Sequence, residues 1–86
     1  MKNKVLIKLE LPELDMCYDI FIPVNEIIWK IKKMIIKSVS DMTSIPLDMD
    51  ANYMLINKEN CKTYTSNEIV INTDIRNGSV LLLISK

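Results

Sequence analysis

Residues 80–84 read Val80-Leu-Leu-Leu-Ile84, five consecutive aliphatic side chains near the end of an 86-residue chain. Successive side chains of a strand point to opposite faces of the sheet, so this strand would be apolar on both faces. Strands of that kind lie in the interior of a sheet, covered on one side by a helix. Asn77-Gly78 precedes the run, and Gly78, the only glycine, accepts a positive φ without strain. We therefore predict a turn followed by a central strand.

The first quarter of the chain alternates with the period of two that is typical of half-buried strands. On one face of residues 4–11 lie the apolar side chains of Val5, Ile7, Leu9 and Leu11. A second strand from Met16 to Ile22 would place Met16, Tyr18, Ile20 and Ile22 on one face, and Cys17 and Asp19 on the other. Pro12 to Asp15 supplies the turn between the two strands, and Pro23 ends the second because proline cannot donate to a ladder. This pattern predicts a hairpin.

The period changes to 3.6 after Asn25, whose side-chain oxygen we expect to cap a helix. One face of that helix would carry Ile28, Ile31, Ile35, Val39 and Met42. The opposite face would carry Lys30, Lys33 and Lys37. We expect the helix to end before Thr43, since Pro46 forbids its continuation past Ile45.

Two further segments complete the predicted sheet. Tyr53 to Ile56 is typical of a third strand, and a turn at residues 58–60 leads into a short fourth strand around Cys61 to Tyr64. The order β-β-α-β-β-β in a single domain, residues 1–86, is that of an α+β protein of the β-grasp type. We predict a mixed five-stranded sheet, with the helix packed on its concave face and the last strand parallel beside the first.

Composition argues against catalysis and against nucleic-acid binding. The chain has no histidine, so it lacks a Ser-His or Cys-His nucleophile and a histidine metal site, and one glycine cannot build a phosphate-binding loop. Cys17 and Cys61 are interpreted as incidental thiols. Eleven basic and eleven acidic residues leave no surplus of charge for phosphates. We predict a protein that is not an enzyme and binds no cofactor, metal or nucleic acid.

The chain also lacks membrane-directed segments. Lys8 and Glu10 interrupt the apolar run that a secretory signal would need after the basic start of the chain. The run at residues 80–84 is far shorter than the roughly 20 apolar residues that span a bilayer. We expect a cytoplasmic protein without direct membrane insertion.

The chain resembles ubiquitin-like proteins along its whole length. The resemblance is carried by the hairpin, Ile22-Pro23 before the helix, Ile45-Pro46 after it, and the closing Asp74-Ile-Arg-Asn-Gly-Ser-Val-Leu81. More narrowly, the chain resembles the YukD/EsaB family. This resemblance is carried by the chain length, by the closing segment, and by the stretch before the Ile/Lys-rich helix, Tyr18-Asp-Ile-Phe-Ile-Pro-Val24. Members of that family are ubiquitin-like accessory proteins of bacterial type VII (WXG100-substrate) secretion systems.

The resemblance implies a cytosolic protein that assists or regulates a membrane-embedded secretion machine through protein partners at the inner face of the membrane. Conjugating and sulfur-carrying relatives need a C-terminal Gly-Gly, whereas this sequence closes with Ile84-Ser85-Lys86. We therefore expect neither conjugation nor sulfur transfer. A sulfur carrier or modifier and a β-grasp nucleic-acid binder are the alternatives.

Apolar residues in excess of one core indicate a protein-binding surface. If Leu81 and Leu83 face the helix, then Val80, Leu82 and Ile84 face outward, joined by either Met54 and Ile56 or Tyr53 and Leu55. We take Leu82, Ile84 and Met54 as anchors of the patch and Ile56 as a further member. Alternatively, the fourth segment or a second copy of the chain in a homodimer covers this apolar patch.

The helix offers a second group of candidates. Trp29 and Ile36 lie on one shoulder of its apolar face, and Ile27 and Met34 lie on the other. Trp29 is large enough to anchor a partner, although its ring would also serve as packing over the edge of the sheet. Lys30, Lys33 and Lys37 indicate an acidic partner, although a solvated helix face is the more common explanation of such a ridge.

Overall fold

The computed structural model describes residues 3–44 and 53–85, and the predicted stop at Ile45-Pro46 lies outside them. The elements in chain order are β1 (Lys4–Leu11), a 3-10 turn (Pro12–Leu14), β2 (Met16–Pro23), α1 (Ile28–Thr43), β3 (Tyr53–Asn57), a second 3-10 turn (Val70–Asn72) and β4 (Val80–Ser85). The sheet has the strand order β2-β1-β4-β3. β4 runs parallel to β1 and antiparallel to β3, so it occupies the predicted central position.

The turn before β4 forms as predicted and attaches to β1. Gly78 has a φ of 87°, and its N–H donates to the carbonyl of Leu6 at 2.8 Å. The side-chain oxygen of Asn77 accepts from the N–H of Leu6, also at 2.8 Å. The turn therefore continues the hydrogen bonding along β1 up to the point where parallel pairing begins, at Lys8 and Val80.

The prediction of five strands is wrong, because the segment around Cys61 to Tyr64 does not form a strand. Among the described residues it makes one isolated bridge, between Ile56 and Thr63. Cys61 has a φ of 60°, which is outside the extended region, and its N–H donates to the carbonyl of Asn57 at 2.8 Å. The segment thus begins in a tight turn at Cys61 and ends at Tyr64, whose side chain is buried in the core. The domain is a β-grasp with a mixed four-stranded sheet.

The helix begins later than predicted, and Asn25 does not cap it. The N-cap is Ile27, which has no capping side chain. Instead, the N–H of Ile28 donates to the carbonyl of Glu68 at 2.8 Å, and that of Trp29 donates to the carbonyl of Ser66 at 3.3 Å. The free amides of the first turn are satisfied by a loop about forty residues away, which a local capping rule does not detect. The helix ends at Thr43, with Ser44 in the left-handed region.

The core lies between α1 and the inner face of the sheet. As predicted, Ile28, Ile31, Ile35 and Val39 are buried against it. Two helix residues differ from expectation: Ile36 is buried as well, whereas Met42 is 55% exposed. Met42 lies in the last turn of the helix, beyond Val39, its last buried residue. The remaining core members come from all four strands and the loop after β3: Ile7, Leu9, Leu11, Ile22, Leu55, Tyr64, Val70, Ile75, Leu81 and Leu83.

A polar network holds the loop after β3 against the loop before β4. The buried side chain of Asn57 donates to the hydroxyl of Tyr64 at 3.1 Å, and that hydroxyl donates to Asp74. Asn60 donates to the second oxygen of Asp74 at 2.7 Å. Burial, followed by the hydrogen bond with Asp74, raises the pKa of Tyr64 to about 12. The hydrogen bonds from Tyr64 and Asn60 lower the pKa of Asp74.

We expect Tyr64→Phe to lower the free energy of unfolding by about 1–3 kcal/mol, because it leaves the buried Asn57 amide without its acceptor. Urea denaturation at neutral pH measures the change. Tyr18→Phe is the matched control, since the half-buried Tyr18 hydroxyl donates only to the sulfur of Met16, at 3.3 Å. The control should change the free energy by less than about 0.5 kcal/mol. Equal effects of the two substitutions would show that the network does not stabilise the fold.

The lowered pKa of Asp74 predicts a loss of stability in acid. A carboxyl whose pKa is lower in the folded than in the unfolded chain stabilises the fold above the unfolded value, and this contribution is lost as the pH falls through the folded value. We expect Asp74→Asn to flatten the decline of unfolding free energy between about pH 5 and about pH 3. Urea denaturation at several pH values tests this, with Asp19→Asn on the exposed sheet face as control. An unchanged slope in Asp74→Asn would contradict the assignment.

Candidate protein-binding surfaces

The sheet has a face that α1 does not cover, and β4 supplies its centre. Leu81 and Leu83 are buried toward the helix, so the alternation of the strand turns Val80, Leu82 and Ile84 to the other side. All three are half-buried. The predicted division of β4 between core and surface is confirmed.

The register of β3 decides which of its side chains join this face. Met54 pairs with Ile84 and Ile56 pairs with Leu82, while Leu55 is buried toward the helix. The members from β3 are therefore Met54 and Ile56, rather than Tyr53 and Leu55. The five side chains form one apolar area across two adjacent strands, called here the outer patch: Met54, Ile56, Val80, Leu82 and Ile84.

Charged residues of β1 border the outer patch. Lys8 pairs with Val80 and Glu10 pairs with Leu82 in the parallel register, so both lie on the same face of the sheet. Lys58 donates to both carboxylate oxygens of Glu10, at 3.0 and 3.1 Å. Lys58 follows β3 and Glu10 lies on β1, so this ion pair spans the outer face of β4 beside Val80 and Leu82.

A second apolar group, which was not predicted from the sequence, lies on the same face. Leu6 of β1 pairs with Phe21 of β2, and Phe21 is 50% exposed. The pair of Lys8 and Asp19 lies beside this group, and together with Leu6 and Val80 it lines one depression. The alternation that placed Cys17 and Asp19 outward, extended by two residues, reaches Phe21, so the signal was present in the sequence.

The helix candidates lie on the other side of the molecule. Trp29 is 42% exposed, and the ammonium groups of Lys30 and Lys33 each lie 5.6 Å from the centroid of its ring. Lys37 is exposed on the same side of the helix. Because the sheet separates them, the lysine ridge and the outer patch form two surfaces rather than one. The shoulder residue Ile36, expected at the surface, belongs to the core.

The described residues show no cluster of side chains typical of a metal site. No three His, Cys, Asp or Glu side chains among residues 3–44 and 53–85 are grouped as a metal would require. Cys17 and Cys61 are free and exposed. One cavity of about 110 Å³ is lined by Leu11, Glu13, Leu14, Tyr53, Leu83 and Ser85. A wider depression of about 420 Å³ lies beside the turn before β4, and Asn57, Asn60, Asp74 and Arg76 are among the residues that line it.

Within residues 3–44 and 53–85, no helix combines the length and the apolar composition that crossing a bilayer requires.

No family model matches the chain, and no curated protein matches it in sequence. Solved structures do match in fold. A chain of the MycP5-free ESX-5 inner membrane complex superimposes with a TM-score of 0.81 at 12% identity, over 98% of this chain and 21% of that chain. This chain therefore spans about a fifth of that protein.

Two further matches extend over nearly the whole of both chains. The ubiquitin-like domain of the Mycobacterium tuberculosis type VII secretion protein EccD1 matches with a TM-score of 0.73 at 12% identity, over 95% of this chain and 98% of that one. A chain of the toluene 4-monooxygenase HD complex matches with a TM-score of 0.77 at 4% identity, over 96% and 99%. At these identities the likeness shows a ubiquitin-like β-grasp fold, which occurs in more than one functional setting.

Proposed function

We propose that this chain is a non-conjugated ubiquitin-like protein-binding module that acts as an accessory or regulatory component of a type VII secretion system. The observation that carries the binding role is the outer patch, which spans two adjacent strands on the sheet face that the helix leaves open. The likeness in fold to the EccD1 domain and to the ESX-5 chain supports the choice of system.

The outer patch has the composition of a protein-docking surface. Its five members are aliphatic or methionine side chains, and the exposed salt bridge between Lys58 and Glu10 crosses β4 beside Val80 and Leu82. A partner would therefore meet this one ion pair among the apolar side chains, and Lys8 at the β1 side. Protein interfaces typically combine a centre depleted in charge with a polar rim. Met54 is unbranched, which allows it to adapt to the shape of a partner. Leu82 and Ile84 are the proposed anchors beside it.

The proposed module acts through protein partners and catalyses no reaction. The partners would be protein components of a membrane-embedded secretion machine, met in the cytoplasm or at the inner face of the membrane. What supports a role without catalysis is the lack of histidine and of a phosphate-binding glycine loop in the sequence. The zero net charge supports a protein partner rather than nucleic acid.

We expect Leu82→Glu to leave the fold intact and to abolish co-purification with secretion-system proteins. A half-buried residue on the outer face accepts a carboxylate without entering the core, whereas an interface would have to desolvate that charge. Tagged wild-type and variant proteins are expressed in cells that encode a type VII system, and the captured proteins are identified by mass spectrometry. Thermal melting verifies folding of each variant.

Ile71→Glu is the matched control, because Ile71 is an exposed isoleucine, at 62%, outside the outer patch. The control should capture the same proteins as wild type. Capture by folded Leu82→Glu at the wild-type level would refute the proposed docking face. Sedimentation of the purified protein distinguishes self-association: a dimer that Leu82→Glu dissociates would assign the patch to a second copy of this chain.

A further inference from the structure

We infer that the solvent-facing side of α1 binds an acidic protein segment. The surface consists of Trp29, Lys30, Lys33 and Lys37, called here the Trp–Lys face. It lies across the sheet from the outer patch, so this inference is independent of the proposed docking through Leu82. The occupant would be a stretch of polypeptide rich in Asp and Glu that places carboxylates beside the lysines and an apolar group on the indole ring.

The first argument is the geometry around Trp29. The ammonium groups of Lys30 and Lys33 each lie 5.6 Å from the ring centroid, within the range of a cation–π contact. Such contacts hold two long side chains beside one aromatic ring before any partner arrives. Less rotamer freedom is then lost on binding, which is the usual cost of using lysine at an interface. A carboxylate can still reach both ammonium groups from the solvent side.

The second argument is the local charge. The protein has no net charge, yet α1 contains four lysines and a single acidic residue, Asp41. Lys30 has one exposed partner, Glu26, at 3.8 Å. Lys32 is engaged with the carbonyl of Tyr53 at 3.1 Å. Within residues 3–44 and 53–85, Lys33 and Lys37 take part in none of the salt bridges, which leaves their charges available to a partner.

The arrangement favours an acidic polypeptide over an anionic membrane. At 3.6 residues per turn, Trp29 and Met34 lie about 140° apart around the helix axis, with Lys30, Lys33 and Lys37 between them. A helix that lies in a membrane surface needs one continuous apolar face, and the continuous face of α1 is already buried in the core. From Lys30 to Lys37 the ridge rises about 10 Å, which three or four extended residues can follow.

The probe is a fluorescein-labelled peptide of four Glu-Glu-Leu repeats, and the control peptide carries Gln in place of each Glu. Binding is followed by anisotropy of the label and by the emission of Trp29, which reports on this face because it is the only tryptophan. We expect saturable binding of the acidic peptide with a shift in Trp29 emission. The affinity should fall several-fold as salt is raised from about 20 mM to about 200 mM, because exposed charges are screened.

Substitutions assign the binding to the Trp–Lys face. Lys33→Gln should raise the Kd about two- to fivefold, as expected for one exposed ion pair. Trp29→Ala, followed through the peptide label, should raise it about tenfold or more. Lys8→Gln is the matched control, because it removes a lysine from the opposite, outer face of the sheet. Lys8→Gln and Leu82→Glu should both bind as wild type, which separates this surface from the outer patch.

Several results would overturn the inference. One is equal binding of the Gln peptide, and another is an unchanged Kd for Lys33→Gln. Vesicles of phosphatidylglycerol that shift Trp29 emission when the peptide does not would assign the face to a lipid surface. A shift in Trp29 emission that follows protein concentration without peptide, together with a dimer in sedimentation, would assign it to a second copy of the chain.

Discussion

The parallel pairing of β4 with β1 is the constraint on which the rest of the molecule depends. It joins the first and the last strand in the middle of the sheet and buries Leu9 and Leu81 side by side under α1. Side chains alternate along a strand, so a shift of one residue would turn every inner side chain of β4 to the solvent. The same register that buries Leu83 therefore places Leu82 and Ile84 on the open face. The outer patch is a consequence of the core rather than a separate feature.

In the helix, too, burial of one face determines which residues are exposed on the other, here with a period of 3.6 residues. Burial of Ile28, Ile31 and Ile35 fixes its rotation, and this rotation turns the lysine ridge to the solvent. Its starting point is fixed by the loop carbonyls of Ser66 and Glu68, which accept from the first amides of α1. The loop after β3 thus helps to set which residues of α1 are exposed, and the Tyr64–Asp74 network holds that loop in place.

Features with a strict local period could be predicted from the sequence, and features set by distant partners could not. The hairpin, the central β4 and the two sides of α1 follow from periods of 2 and 3.6, which depend only on neighbouring residues. The prediction of a fifth strand was wrong because the left-handed backbone of Cys61 and the burial of Tyr64 limit the pairing of this segment to one bridge. The prediction that Asn25 caps the helix was wrong because a loop about forty residues away accepts hydrogen bonds from the first amides of α1. The exposure of Phe21 was predictable from the alternation of β2, but the predicted outer face stopped at Asp19.

The two surfaces also differ in the physics by which they would attract a partner. The outer patch would act through the removal of apolar area from water, which requires contact and is little affected by salt. The Trp–Lys face would act through exposed charge, whose influence extends over about a Debye length and weakens as salt rises. Long-range attraction affects mainly the rate of association, whereas buried apolar contacts affect mainly the lifetime of the complex. A small domain that carries both on opposite sides of one sheet can therefore be oriented by its helix while its sheet remains free to bind.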